Sequence, residues 1–240
     1  MQYQGGKANI ARHIAPQIIA AKWATDATTY IEPFMGGAAV FAQVAPYFER
    51  AIGSDAHPDI MFMWQAAVTG WKPPAKLTEQ EWRELKTAEP SALRGFAGFG
   101  CSFGGKWFAG YAKNNQQYDY VNQARRSVVA LARRIRGAQL LIGDYTMHTP
   151  SVGPHTVIYC DPPYANTTPY QNAGSFDSAQ FWSTMAEWVG LGATVLVSEY
   201  DAPPKWQSVW SIGKRVTMNK DDNLRRATEH LFMHHTQVPR

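Results

Sequence analysis

At 240 residues and 45% hydrophobic content, the chain is long enough to bury a real core, either as one large domain or as a core with a smaller insert. No apolar run approaches bilayer-spanning length, and the opening Met1-Gln2-Tyr3-Gln4-Gly5-Gly6-Lys7 does not read as a signal peptide, so the cytoplasm is the expected compartment. With only Cys101 and Cys160, the sequence suggests neither a disulfide framework nor a metal knuckle, while a net charge of +4, a pI near 9.0 and 31 aromatic side chains (9 Trp, 11 Tyr, 11 Phe) are compatible with a polyanionic partner but prove none.

Tyr3-Gln4-Gly5-Gly6-Lys7 precedes an amphipathic helix with Ile10, Ile14, Ile18 and Ile19 on one face. The paired glycines permit close backbone approach, and Lys7 stands where it either neutralises an anion or is simply solvated. Thr28 to Glu32 reads as a strand, followed by the turn Pro33-Phe34-Met35-Gly36-Gly37 and an alanine-rich helix over residues 38–45. Strand, glycine turn and helix open a nucleotide-binding unit. A second strand over residues 51–54 ends at Asp55, 19 residues beyond Gly36, near the spacing of roughly 20 at which a strand-end carboxylate meets ribose hydroxyls.

A buried helix is expected over residues 57–68, and Gly70-Trp71-Lys72-Pro73-Pro74 then breaks the pattern and marks a domain boundary. Thr78 and Glu81 form a capping box for a short helix through Trp82 and Leu85. From 90 to 115 periodicity fails: glycines alternate with Phe96, Phe99, Phe103, Trp107, Phe108 and Tyr111, punctuated by Arg94, Lys106 and Lys113. The segment reads either as a loop inserted into a nucleic-acid groove or as a well-packed irregular loop. Val121, Ala124, Val128, Leu131, Ala132 and Ile135 then line a helix whose flanks carry Arg125, Arg126, Arg133, Arg134 and Arg136, a basic face that is solvated or contacts phosphate.

A strand over residues 139–142 runs into Gly143-Asp144-Tyr145. The next, Val157-Ile158-Tyr159-Cys160, ends abruptly in Asp161-Pro162-Pro163-Tyr164. Each proline fixes its own φ and extends the residue before it, so this stiff loop presents a carboxylate, bare carbonyls and a tyrosine face. Alone it is equally a turn or a site. Residues 165–174 read as a mobile lid bearing Tyr170; Asp177 and Gln180 cap a helix through Trp188; residues 194–198 form a strand; and a hairpin pairs residues 214–218 with 230–235. The expected fold is α/β: a Rossmann-like, doubly wound, mostly parallel sheet with a terminal antiparallel hairpin, its catalytic domain formed by residues 1–69 and 119–240 and interrupted by a mainly helical or irregular insert at 70–118. Asp55, Asp144 and Asp161 then converge at one sheet edge, which favours the site reading.

Such a set suits methyl transfer to an aromatic amine. The glycine turn and Asp55 would hold an adenosine-type cofactor carrying a sulfonium methyl group. Asp161 and the Pro162 carbonyl would each accept one amine N–H and free the nitrogen lone pair, while Tyr164 stacks on the ring. The chemistry calls for no nucleophile and no metal, and a base within duplex DNA would have to be flipped out.

In order, Tyr3-x-Gly5-Gly6-Lys7, Glu32-Pro33-Phe34-Met35-Gly36-Gly37, Ser54-Asp55, Gly143-Asp144-Tyr145, Asp161-Pro162-Pro163-Tyr164 and the closing Arg225-Arg226-x-x-Glu229-His230-Leu231 resemble the Dam-type DNA adenine N6-methyltransferase family, of phage or bacterial type. The resemblance implies S-adenosylmethionine as methyl donor, S-adenosylhomocysteine as product, no metal, and double-stranded DNA as partner of a monomer or weak dimer. It implies Asp161, Pro162, Pro163 and Tyr164 as catalytic residues. Cofactor contacts would come from Tyr3, Gly6, Lys7, Glu32, Pro33, Phe34, Met35, Gly36, Gly37, Asp55, Asp144, Tyr145 and Asp161. The insert at 70–118 would be the target-recognition domain, with DNA contacts expected from Arg94, Lys106, Trp107, Lys113, Arg125 and Arg126. Two departures stand out: Gly36-Gly37-Ala38 replaces the usual Phe-x-Gly-x-Gly spacing, and residues 101–108 do not match the family's asparagine- and arginine-rich recognition hairpin, so no recognition sequence is implied. The competing readings are the same chemistry on structured RNA, and a nucleic-acid-binding module without catalysis.

Overall fold

The structure is a computed structural model that describes residues 1–113, 118–163, 176–216 and 225–238. Seven strands form one sheet: β1 (Thr29–Glu32), β2 (Arg50–Asp55), β3 (Gln139–Ile142), β4 (Thr156–Cys160), β5 (Thr194–Glu199), β6 (Trp206–Val216) and β7 (Arg225–His234). Their spatial order is β3-β2-β1-β4-β5-β7-β6. The first five are parallel, and β7 runs antiparallel to both of its neighbours. This is the doubly wound sheet with a terminal hairpin that the alternation of strand and helix implied.

Side-chain alternation along the strands builds two cores. Tyr30, Val157, Tyr159, Leu196 and Leu231 face one layer, and Ile31, Ile52, Ile158, Val195 and Val197 face the other. Because β4 is covered on both faces, it is buried throughout and, beyond Thr156, carries the run Val157-Ile158-Tyr159-Cys160. The first layer packs α1 (Ala11–Thr25), the single-turn α2 (Phe41–Val44), α3 (Pro58–Val68) and α6 (Tyr120–Arg134); the second packs α7 (Ser178–Gly190). The helix expected over 38–45 is cut to α2 and a 3₁₀ turn (Ala45–Tyr47), since Pro46 has no N–H to continue the ladder.

Segment 70–118 holds α4 (Glu79–Leu85), α5 (Ala92–Gly95) and a π turn (Phe96–Gly100). Its apolar side chains Leu77, Trp82, Phe96, Phe99 and Phe108 join the first layer of the core. The capping box forms reciprocally: Glu81 N–H donates to Thr78 Oγ1 at 3.2 Å, and Thr78 N–H donates to Glu81 Oε2 at 2.6 Å. Strand β6 begins at Trp206, eight residues before the expected hairpin start, because a bulge between Ser208 and Trp210 breaks the alternation by which a strand is recognised. Tyr164, Tyr170, the lid at 165–174 and the hairpin tip lie outside the described residues. Among the described residues, no helix is long and apolar enough to cross a membrane.

Helix α5 is held to α3 by close backbone approach. A Cβ on Gly95 would come within 2.2 Å of the Asp59 carbonyl oxygen, whereas one on Gly110 would meet nothing within 4 Å. Gly95→Ala is therefore expected to lower stability by about 1–3 kcal/mol through overpacking, read as a fall in Tm of roughly 2–10 °C. Gly110→Ala serves as the neutral control, and equal melting temperatures for the two variants would refute the reading.

Candidate active site

Between β1 and β4 the chain departs toward opposite faces of the sheet. The loop after β1 leads to α2 in the first layer, and the chain beyond β4 reaches α7 in the second. Ligands bind at such a switch point, outside the carboxyl ends of parallel strands. Here a cleft of 1680 Å³ opens, larger than the roughly 300–1,000 Å³ of a single small-molecule pocket.

One side of the cleft is the turn after β1. Met35 N–H donates to the Ser54 carbonyl at 2.8 Å, and Trp64 Nε1 on α3 donates to the Gly36 carbonyl at 2.8 Å. Gly36 has a φ of +42°, and a Cβ there would come within 2.6 Å of the Tyr3 ring, so both conformation and space require glycine. At the end of β2, the Asp55 carboxylate accepts from Gly36 N–H and from His57 N–H, each at 2.9 Å. Burial pushes the Asp55 carboxyl up to about 6, against the pull of these two donors. The Phe34 ring stacks on Tyr145, 5.5 Å between centroids. Asp144 caps the 3₁₀ turn Tyr145–Ser151, its carboxylate accepting from Thr146 N–H at 2.9 Å.

The other side is the end of β4. Asp161 Oδ1 accepts from Lys7 Nζ at 2.5 Å, and Glu229 Oε1 on β7 lies 3.4 Å from the same ammonium. Lys7 and Glu229 are buried, with side chains 4% and 0% exposed. Burial acts to lower the Lys7 pKa, but Asp161 and Glu229 outweigh it and raise the value above that of an ordinary lysine, so the ammonium persists. Glu32, buried at the end of β1, is driven well above the usual carboxylate range by burial, although the Tyr30 hydroxyl bonds to it at 2.5 Å.

Tyr3, Gly6, Lys7, Glu32, Pro33, Phe34, Met35, Gly36, Gly37, Asp55, Asp144, Tyr145, Asp161, Pro162 and Pro163 all line this one cleft. Tyr164 lies outside the described residues. The residues expected to meet DNA are more scattered. Arg94 borders the cleft, but its guanidinium is engaged internally: Nη1 pairs with Asp59 at 2.8 Å, while Nε and Nη2 donate to the Leu85 and Lys86 carbonyls. These contacts tie α5 to α3 and to the end of α4. Trp107 borders the cleft and packs against Phe99, His57 and Arg94. Lys106 and Arg126 are exposed; Lys113 pairs with Glu79 at 3.2 Å; Arg125 Nε donates to the Pro73 carbonyl at 2.9 Å.

Sequence reasoning quoted Glu229 only within the closing segment and assigned it no role; it stands two positions before the apolar run Leu231-Phe232-Met233 on β7. It also passed over His148, whose Nε2 lies 2.7 Å from Ser54 Oγ beneath the end of β2; burial lowers its pKa to about 4. Among the described residues, no group of three His, Cys, Asp or Glu side chains is arranged to hold a metal ion.

Residues 3–91 match the sequence profile of the family described as D12 class N6 adenine-specific DNA methyltransferase. The chain is 33% identical over 70 residues, 29% of its length, to the type II methyltransferase M.CviBI of Paramecium bursaria Chlorella virus NC1A, and spans 25% of that protein. Among solved structures, TrmN from Thermus thermophilus aligns over 90% of this chain and 47% of its own, at 12% identity and a TM-score of 0.37. An rRNA methylase from Streptococcus thermophilus aligns over 93% and 96%, at 8% identity and a TM-score of 0.39. Residues 3–91 of this chain thus resemble the D12 class N6 adenine-specific DNA methyltransferases, and the chain spans a quarter of the length of the viral enzyme that it matches.

Proposed function

We propose that this protein transfers a methyl group from S-adenosylmethionine to the exocyclic N6 amine of adenine in double-stranded DNA, with residues 70–118 as its target-recognition insert. The observation that carries the proposal is the convergence of the glycine turn, Asp55, Lys7 and the rigid Asp161-Pro162-Pro163 loop in one cleft large enough for two ligands. The donor set suits the cofactor: a close-approach turn, a strand-end carboxylate for ribose hydroxyls, and the Phe34–Tyr145 aromatic pair for an adenine ring. When bound, S-adenosylmethionine supplies a sulfonium methyl group that moves to the amine nitrogen, the carbon–sulfur electron pair returning to sulfur as S-adenosylhomocysteine forms. Asp161 and the Pro162 carbonyl accept the two amine N–H groups and leave the nitrogen lone pair available. The Asp161 carboxylate also balances the positive charge that grows on the amine, then takes up the displaced proton and passes it to water. The two prolines hold both acceptors still, because neither can rotate about its own φ. Adenine reaches them flipped out of the duplex. The cytoplasm is the matching compartment.

Asp161→Ala is expected to abolish methyl transfer to duplex DNA while leaving S-adenosylmethionine binding by calorimetry within a few-fold of wild type; turnover at the wild-type rate would refute the mechanism. Running duplex DNA, single strands and structured RNA in parallel identifies the nucleic acid, and preferred methylation of RNA would overturn the DNA assignment.

Asp55 meets ribose hydroxyls as a carboxylate. In the free protein that form dominates above a pH of about 6 and is lost below it. Cofactor affinity is therefore expected to be level above that pH and to weaken by up to about tenfold per unit below it, measured by calorimetry between pH 5 and 8. Affinity that does not change across that range would remove Asp55 from the ribose site.

Lys106 is an exposed cation beside the cleft-lining Trp107. Lys106→Ala is expected to weaken binding to all DNA sequences alike and to reduce the slope of log affinity against log salt by about 1. An unchanged slope would count against a phosphate contact there.

A further inference from the structure

We propose that Glu229 is a positioning residue for methyl transfer: from β7, without touching the cleft, it anchors the Lys7 ammonium that holds the Asp161 carboxylate in place. The inference rests on the reading of Asp161 as the amine acceptor. Lys7 comes from the segment before α1, Asp161 from the end of β4, and Glu229 from β7, two strands further along the sheet. Three separate parts of the chain thus meet through one ammonium, with Nζ at 2.5 Å from Asp161 and 3.4 Å from Glu229. Tyr159 on β4, Tyr200 just after β5 and Glu32 at the end of β1 face the same cluster.

Glu229 is absent from the cleft wall and 0% exposed, so its effect on a bound base must pass through another side chain. Lys7 is such a side chain. A lysine stem is flexible, and a lone ammonium beside Asp161 could swing toward a cofactor carboxylate or a phosphate and draw the acid with it. A second, immobile carboxylate behind it on a paired strand restricts that freedom. Ile212↔Glu229 and Glu199↔His230 are ladder pairs, so the backbone carrying Glu229 is held on both sides. Lys7 Nζ holds Asp161 Oδ1 and so fixes the orientation of the carboxylate.

The test is a double-mutant cycle on the full chain. Glu229→Gln is expected to lower single-turnover methyl transfer by about 10- to 100-fold, as mispositioning does, with cofactor affinity near wild type and the fold retained at the assay temperature. In a Lys7→Met background the same change should alter the rate by less than roughly twofold, because the partner through which Glu229 acts is gone. Wild-type transfer by Glu229→Gln, or the same fold loss in both backgrounds, would overturn the proposal. An independent readout uses the cofactor-free protein with isotope-labelled lysine: by NMR the Lys7 titration midpoint should fall in Glu229→Gln, since an anion that favours the ammonium has been removed. An unchanged midpoint overturns the proposal whatever the activity. If wild type methylates no adenine in any nucleic acid, the functional reading fails on its own, and the Lys7 midpoint then decides whether Glu229 governs Lys7.

Discussion

Strands β1 and β4 lie side by side and parallel, yet the chain leaves them toward opposite faces of the sheet, so the two loops part and a crevice opens between them. Right-handed crossovers impose this wherever a doubly wound sheet reverses its strand order. The residues proposed to bind the cofactor and to react stand on the rim of that crevice: the turn of Gly36 from β1, Asp55 from β2, Asp144 beyond β3 and Asp161 from β4. The parallel register makes the convergence inevitable, since equivalent strand ends lie level with one another and each presents the residue that follows it.

The electrostatics of the crevice divide along the same line. On the turn side, Asp55 is held by two backbone N–H donors yet lifted by burial, which leaves it poised to gain from further hydroxyl donors. On the opposite side, Lys7 stands between two carboxylates in a region almost closed to water. Breaking a buried pair of this kind leaves an uncompensated charge, typically at a cost of about 3–5 kcal/mol, so the three groups form a rigid unit. Rigidity matters for a reaction driven by placement: an acceptor that shifts by an ångström no longer aligns the amine with the methyl group.

The glycine-aromatic segment turns out to be both packed and exposed. Phe96, Phe99 and Phe108 continue the main core, and Arg94 bonds to Asp59 and to two carbonyls. Meanwhile Lys106 and Phe103 remain at the surface, with Phe103 74% exposed. Of the two readings the sequence left open for this stretch, packing describes its inner face.

Strand order along the chain, the two halves of the sheet and the cleft-facing motifs were legible in the sequence, because each rests on local chemistry. β4 announces itself by an unbroken apolar run, α4 by Thr78 and Glu81, and the stiff loop by two consecutive prolines. What the sequence left open were relations between distant residues. The bulge at Ser208 hides the start of β6 by spoiling a period of two, Arg94 reads as a free cation until Asp59 is brought beside it, and Glu229 has no partner in the closing segment's own sequence until folding sets it behind Lys7. A side chain's local signal reports its intrinsic chemistry. Its partner, and hence whether its charge is free, paired or passed on to a reacting group, is decided by the tertiary packing of segments up to 222 positions apart, as with Lys7 and Glu229.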